Sequence, residues 1–230
     1  MNLLTRIWRS SLGKKYIMAL TGLALFLFVI GHMVGNLQVF VGPEALNRYA
    51  HFLQSTPEIL WPFRLGMIAL VGAHLAAALT LQAQNAESRP RGYEGNPTPT
   101  DASLASRTMI ATGGIILVFI VYHILQFTVG VEQLGYFHRK TAEGHNDVFY
   151  MVVKGFQSPL ISGFYIFAMA LLCFHLSHGV AAMFQSLGLK NHAYDKLIAK
   201  FARIAAWVIF LGNSSMPIAI LLGYGKDLVK

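Results

Sequence analysis

The sequence predicts an all-α integral membrane protein: one domain over 1–230, built as a bundle of five transmembrane helices. Three observations predict it. Apolar residues make up 55% of the chain and charged residues only 12%, where an ordinary soluble domain has about 25% charged. The charges are segregated: the windows 16–43, 65–86, 108–131, 155–189 and 204–225 contain no Asp, Glu, Lys or Arg. Each window exceeds the roughly 20 residues a helix needs to cross the hydrocarbon core. An isolated strand would leave its backbone unpaired in lipid, and barrel strands are far shorter and alternate in polarity.

The helices are expected at about 16–41, 62–85, 108–130, 159–187 and 203–225. Before the first lies a basic segment with Arg6, Arg9, Lys14 and Lys15. The first apolar run is too long for a signal-peptide core and has no small-residue cleavage site, so it reads as a retained span. In the loop 42–61, Leu46, Tyr49, Ala50 and Leu53 recur at helical spacing and predict a short surface helix. The loop 87–106, "ESRPRGYEGNPTPTDASLAS", is a polar connector rich in turn formers. The loop 131–154 carries scattered charges and no pattern.

Lys and Arg in short flanking segments favour the cytoplasmic side. With the N-terminus inside, inner segments hold eleven of them and outer segments seven. The expected location is therefore a bacterial cytoplasmic membrane, with the N-terminus cytoplasmic and, after five spans, the C-terminus outside. The net charge of +8 sits at membrane edges, where lipid and topology explain it better than nucleic acid does. The single cysteine, Cys173, excludes an internal disulfide and the C-x-x-C-H attachment of c-type haem.

Two spans share a pattern: Met, two residues, Thr-Gly, nine residues, His. It runs Met18, Thr21, Gly22, His32 and again Met109, Thr112, Gly113, His123. The second and fourth spans each hold a His-Leu pair, His74-Leu75 and His175-Leu176. Polar side chains in a span are costly and usually face the bundle interior with a partner. At about 1.5 Å per residue, His32 and His123 lie roughly 24 Å from the inner side, and His74 and His175 lie roughly 17 and 18 Å from it. The histidines thus sort into two level pairs.

Two imidazoles on different helices at one depth can fill both axial positions of a haem iron. Such a six-coordinate haem carries electrons and offers no open position for substrate. Gly35 and Gly179 lie near the ligands' faces and supply either porphyrin clearance or helix packing. His178 shares a face with His175, and depth does not choose between them. The loop histidines His51, His138, His145 and His192 are expected to be solvated.

The segments "MALTGLALFLFVIGHMVGNLQVF" at 18–40, "LASRTM" at 104–109 and "FHLSHG" at 174–179 resemble the cytochrome b558 membrane anchor of bacterial succinate dehydrogenase and fumarate reductase. The resemblance covers essentially the whole chain. It implies two haems b, with axial pairs His32/His123 and His74/His175, the last being the first His of "FHLSHG". It also implies docking of a flavoprotein and an iron–sulfur subunit on the cytoplasmic face, and exchange of electrons with menaquinone or ubiquinone. Some fumarate reductases of this type carry a Glu two residues before the fourth ligand. Here that position is Cys173, and no acidic residue lies in any of the five windows, so no carboxylate proton path is expected.

Quinone or propionate candidates are Glu44, Arg48, Tyr49 and His51 at the outer end, and Ser106 and Arg107 at the inner end. The chain has neither a Gly-rich nucleotide fingerprint nor an iron–sulfur cysteine cluster. Dicarboxylate chemistry is therefore expected on other subunits. The competing readings are a di-haem anchor of the nitrate-reductase gamma type, which draws its ligands from two helices, and a transition-metal transporter, which commonly has more, broken helices.

Overall fold

The computed structural model describes residues 2–88, 104–131 and 139–229. His138, Arg89, Arg91 and most of the connector 87–106 lie outside the described residues. Those described form nine α-helices and no strand.

The basic N-terminal segment is a separate short helix, α1 (Leu3–Arg9), capped by Asn2. The chain turns at Ser10, whose hydroxyl accepts from Gly13 N at 2.9 Å and so caps α2 (Ser11–Asn36). Gly13 has to be glycine, because a Cβ there would collide with the Ile7 carbonyl. Lys14 is buried and reaches back to the Trp8 carbonyl at 3.0 Å, which ties α1 to α2.

After a 3₁₀ turn, Leu37–Phe40, Gly42 adopts φ 130 and the chain reverses into α3 (Pro43–Gln54). The predicted surface helix thus exists. Its half-buried Tyr49 lies against Gly35 of α2, and its buried Leu46 joins a core cluster with Val39 and Phe149. Next come α4 (Pro57–Glu87), α5 (Leu104–Arg107) and α6 (Met109–Ile124), which continues as a π-helical turn, Leu125–Val129. α7 (Val148–Phe156) precedes α8 (Pro159–Ser186) and α9 (Asp195–Leu221).

Five spans are long and apolar enough to cross a bilayer: Ser11–Phe40, Pro57–Glu87, Met109–Val129, Pro159–Ser186 and Asp195–Leu221. Their number and order match the sequence expectation; four of their ends do not. α2, α4 and α9 begin five, five and eight residues early. Charge-free windows mark the part that sits in hydrocarbon, whereas caps set the helix ends. Ser10, Pro57 at the first helical position and the acidic first turn at Asp195 do so here. α9 stops at Leu221 instead of 225 because Gly223 and Gly225 adopt φ 110 and 77.

The patternless loop 131–154 contains α7, six of whose nine residues are buried. Asp147 caps it, and Asn47 of α3 clamps it by donating to Asp147 Oδ1 at 3.0 Å and accepting from Phe149 N at 2.9 Å. α7 is amphipathic but only nine residues long, shorter than the roughly 11–18 residues over which a helical period can be read in a sequence.

Laterally, α2 packs against α4 and α8, α8 also packs against α6, and α9 covers α8 and part of α2. Among the described residues α4 and α6 share no substantial packing. The first four spans therefore stand at the corners of a square with one open side. Its diagonals are α2–α6 and α4–α8. Ala19, Ala202 and Ala206 let α2, α8 and α9 approach closely. Leu20, Leu27, Ile68, Leu79, Val118 and Leu211 form part of the exposed apolar perimeter, which suits lipid rather than water.

Candidate functional site

The duplicated Thr-Gly motif builds two cradles, each occupied by a histidine of the next span. Thr21 Oγ1 lies 3.0 Å from His74 Nδ1, and Thr112 Oγ1 lies 3.3 Å from His175 Nδ1. The adjacent glycines make room. A Cβ on Gly22 would stand 3.4 Å from His74 Cε1, and one on Gly113 would stand 3.3 Å from His175 Cε1. The backbone carbonyls of Met18 and Met109 complete the cradles beside the same two rings. So the first three residues of each repeat receive a ring from the following helix.

The fourth residue of each repeat supplies a ring. His32 and His123 meet across the α2–α6 diagonal with centroids 5.5 Å apart. Each stacks on the phenylalanine one turn before it, Phe28 or Phe119. His74 and His175 are electrostatic neighbours across the other diagonal. Thr21 and His32 are eleven residues apart, as are Thr112 and His123. The two histidine levels are thus separated by roughly 16 Å along the bundle axis. That is wider than the 7 Å or so expected from the sequence, which took the inner ends of neighbouring spans as level.

The hydroxyl protons in both cradles are engaged elsewhere. Thr21 donates to the Ile17 carbonyl at 2.7 Å, and Thr112 to the Thr108 carbonyl at 2.9 Å. Each hydroxyl oxygen therefore faces its histidine as an acceptor, and the histidine donates from Nδ1. The same logic holds for His123. Tyr165 donates to Gln126 Oε1 at 2.8 Å, so at 3.2 Å its oxygen accepts from His123 Nδ1. With the protons so placed, three rings present a free Nε2 lone pair, the form that binds a metal.

The spacing of the His32–His123 pair is compatible with a bis-imidazole haem. With metal–imidazole bonds of about 2 Å, two trans ring centroids stand roughly 6 Å apart, close to the 5.5 Å between His32 and His123. All four rings keep accessible surface although they lie within spans. The unpacked α4–α6 side leaves the square open. No group of three or more His, Cys, Asp or Glu residues gathers among the described residues, so the histidines are arranged as pairs and not as a polydentate metal cage.

His178 has no such cradle among the described residues; its electrostatic neighbours are Lys190 and His175. Gly35 and Gly179 line neither histidine pair. A Cβ on Gly35 would run into the Tyr49 ring of α3, and one on Gly179 would meet only the Met109 side chain. For Gly35 the packing alternative is the correct one; clearance beside the rings belongs to Gly22 and Gly113.

Of the interfacial candidates, Arg48 and Tyr49 line an open groove with Gln38, Gly42, Glu44 and Phe52, and Arg48 is paired with the exposed Glu44. His51 does not join them. It is exposed, as expected, and stacks on the half-buried His145 with centroids 3.6 Å apart. Ser106 and Arg107 lie at the opposite end, in α5. Thr21, Thr112, Gly22, Gly113, Tyr165 and Gln126 were not singled out as site residues from the sequence. Only the Thr-Gly repeat advertised the first four.

No family model, curated protein or solved structure matches this chain.

Proposed function

We propose that this protein is the cytochrome b membrane anchor of a bacterial succinate:quinone oxidoreductase, holding two haems b through the axial pairs His32/His123 and His74/His175. One observation carries the haem reading: three of the four imidazoles set Nδ1 within hydrogen-bond distance of a hydroxyl that has another acceptor for its own proton. A histidine that merely satisfied itself in the core would not need its tautomer fixed in this repeated way. The support for the particular complex is the sequence resemblance.

A six-coordinate haem supplies one-electron transfer and no open coordination position. The chain's own residues have simpler tasks. The cradles of α2 and α6 orient His74 and His175. Phe28 and Phe119 hold His32 and His123. The apolar perimeter keeps water from the rings.

In this reading α1, the connector 87–106 and the start of α9 face the cytoplasm, where flavoprotein and iron–sulfur subunits dock and the dicarboxylate chemistry takes place. The groove at Arg48 and Tyr49 then opens on the opposite surface as a quinone site, its guanidinium and phenol supplying hydrogen bonds. Ser106 and Arg107 serve the propionates or a quinone at the inner end. The test is an absorption spectrum and haem assay of the purified full-length chain. Two haems b per chain with a low-spin bis-imidazole signature are expected. A colourless, folded chain refutes the proposal.

A further inference from the structure

His123 differs from the two cradled histidines in what holds it. Its partner is a phenol, Tyr165 of α8, which is only 6% exposed, and that phenol is itself held by Gln126, which is 0% exposed. Gln126 sits in the π-helical turn that begins two residues after His123, and such turns inside α-helices concentrate at functional sites. One end of its amide is used; the other, Nε2, has no partner among the described residues and faces Gly155 of α7. A buried polar atom left without a partner asks for an explanation. Leucine would fill the same space without leaving an orphan donor.

The geometry points to Tyr165 and Gln126 as a two-residue relay that fixes the tautomer of His123 and tunes the haem bound at the His32–His123 level. This rests on the haem reading above. The relay works through proton order. The Gln126 carbonyl takes the Tyr165 proton, so the phenol oxygen has only lone pairs to offer. It therefore accepts from His123 Nδ1–H and leaves Nε2 as the ligand atom. With the amide turned round, Tyr165 would donate to Nδ1 and Nε2 would carry the proton, and the ring would be useless as a ligand. An acceptor on the Nδ1 proton also raises the basicity of the ligand nitrogen, and hydrogen bonding around the iron is one of the levers on its potential. The His74–His175 level has threonine hydroxyls bonded to backbone instead. The relay thus gives the chain a means of separating the two potentials.

The test is a potentiometric titration with electron paramagnetic resonance of purified wild type, Tyr165→Phe, Gln126→Leu and Tyr224→Phe, with His32→Ala identifying the haem at this level. Tyr224→Phe is the control, since it removes a hydroxyl that donates to the Val39 carbonyl at 2.8 Å. We expect Tyr165→Phe and Gln126→Leu to keep both haems, to raise the midpoint of the haem missing in His32→Ala, and to alter its low-spin signal. The other haem and the Tyr224→Phe variant should titrate as wild type. If Tyr165→Phe loses that haem outright, Gln126→Leu, which leaves the phenol in place, reads the shift. Midpoints and signals unchanged in both variants, or both haems shifted equally, overturn the relay while the haem reading stands. A wild-type chain without porphyrin overturns both.

Discussion

The hydroxyl of Thr21 accepts a hydrogen bond from the imidazole of His74 across the α2–α4 contact, and Thr112 repeats the arrangement with His175 between α6 and α8. A threonine in an apolar helix ordinarily bonds only its own backbone. Here each hydroxyl does that and holds a neighbour's ring as well. Thr21→Val keeps the shape and removes the hydroxyl acceptor, leaving the Met18 carbonyl as the ring's remaining partner, a loss of about 0.5–1.5 kcal/mol. The expected result is roughly 10- to 100-fold faster or weaker haem retention at the His74–His175 level, read by transfer to an apo-globin acceptor. Thr21→Ser should restore most of it.

Gly113 lies under the His175 ring with room for little more than hydrogen. Gly113→Leu drives the ring out of its cradle and should abolish one haem while sparing the one bound by His32 and His123. Gly113→Ala, whose Cβ stands 3.3 Å from Cε1, requires a shift of a few tenths of an ångström and should keep both with a perturbed spectrum. Haem counts of one and two per chain check these outcomes; two haems in the leucine variant would contradict the cradle.

Gly35 tests the opposite expectation. Its missing Cβ makes room for Tyr49 and not for a histidine. Gly35→Ala should therefore undock α3 and destabilise the protein by about 1–3 kcal/mol, the usual cost of overpacking, with the haem spectrum unchanged. A thermal melt in detergent together with a difference spectrum separates the two effects.

Asn47 joins α3 to the capped start of α7 with two hydrogen bonds. Asn47→Ala removes both, and each such bond contributes about 0.5–1.5 kcal/mol. Limited proteolysis of the segment 139–147 should accelerate several-fold in this variant. An unchanged cleavage rate would show that the buried face of α7 holds this end without the clamp.

The five spans were legible because lipid forbids charge, and the charge-free windows are a direct record of that. The histidine levels were legible because helical rise is constant. Span ends were not, since Ser10 and Pro57 stop or start a helix by local hydrogen bonding that hydropathy ignores. The repeat was visible, but its meaning was not: nothing in a linear string says that Thr21 faces His74 of another helix. Gly35 misled for a related reason. It shares a helix face with His32, yet the returning α3 fills that face with Tyr49. His175 and His178 were inseparable by depth and are separated by the packing of α6, whose Thr112 reaches only the first.

The central claim is the diagonal pairing, and haem content with spectral identity in five single variants tests it most directly. His32→Ala and His123→Ala should each lose the same haem, His74→Ala and His175→Ala should each lose the other, and His178→Ala should keep both. Loss of different haems by two members of one pair, or five variants indistinguishable from wild type, would contradict it.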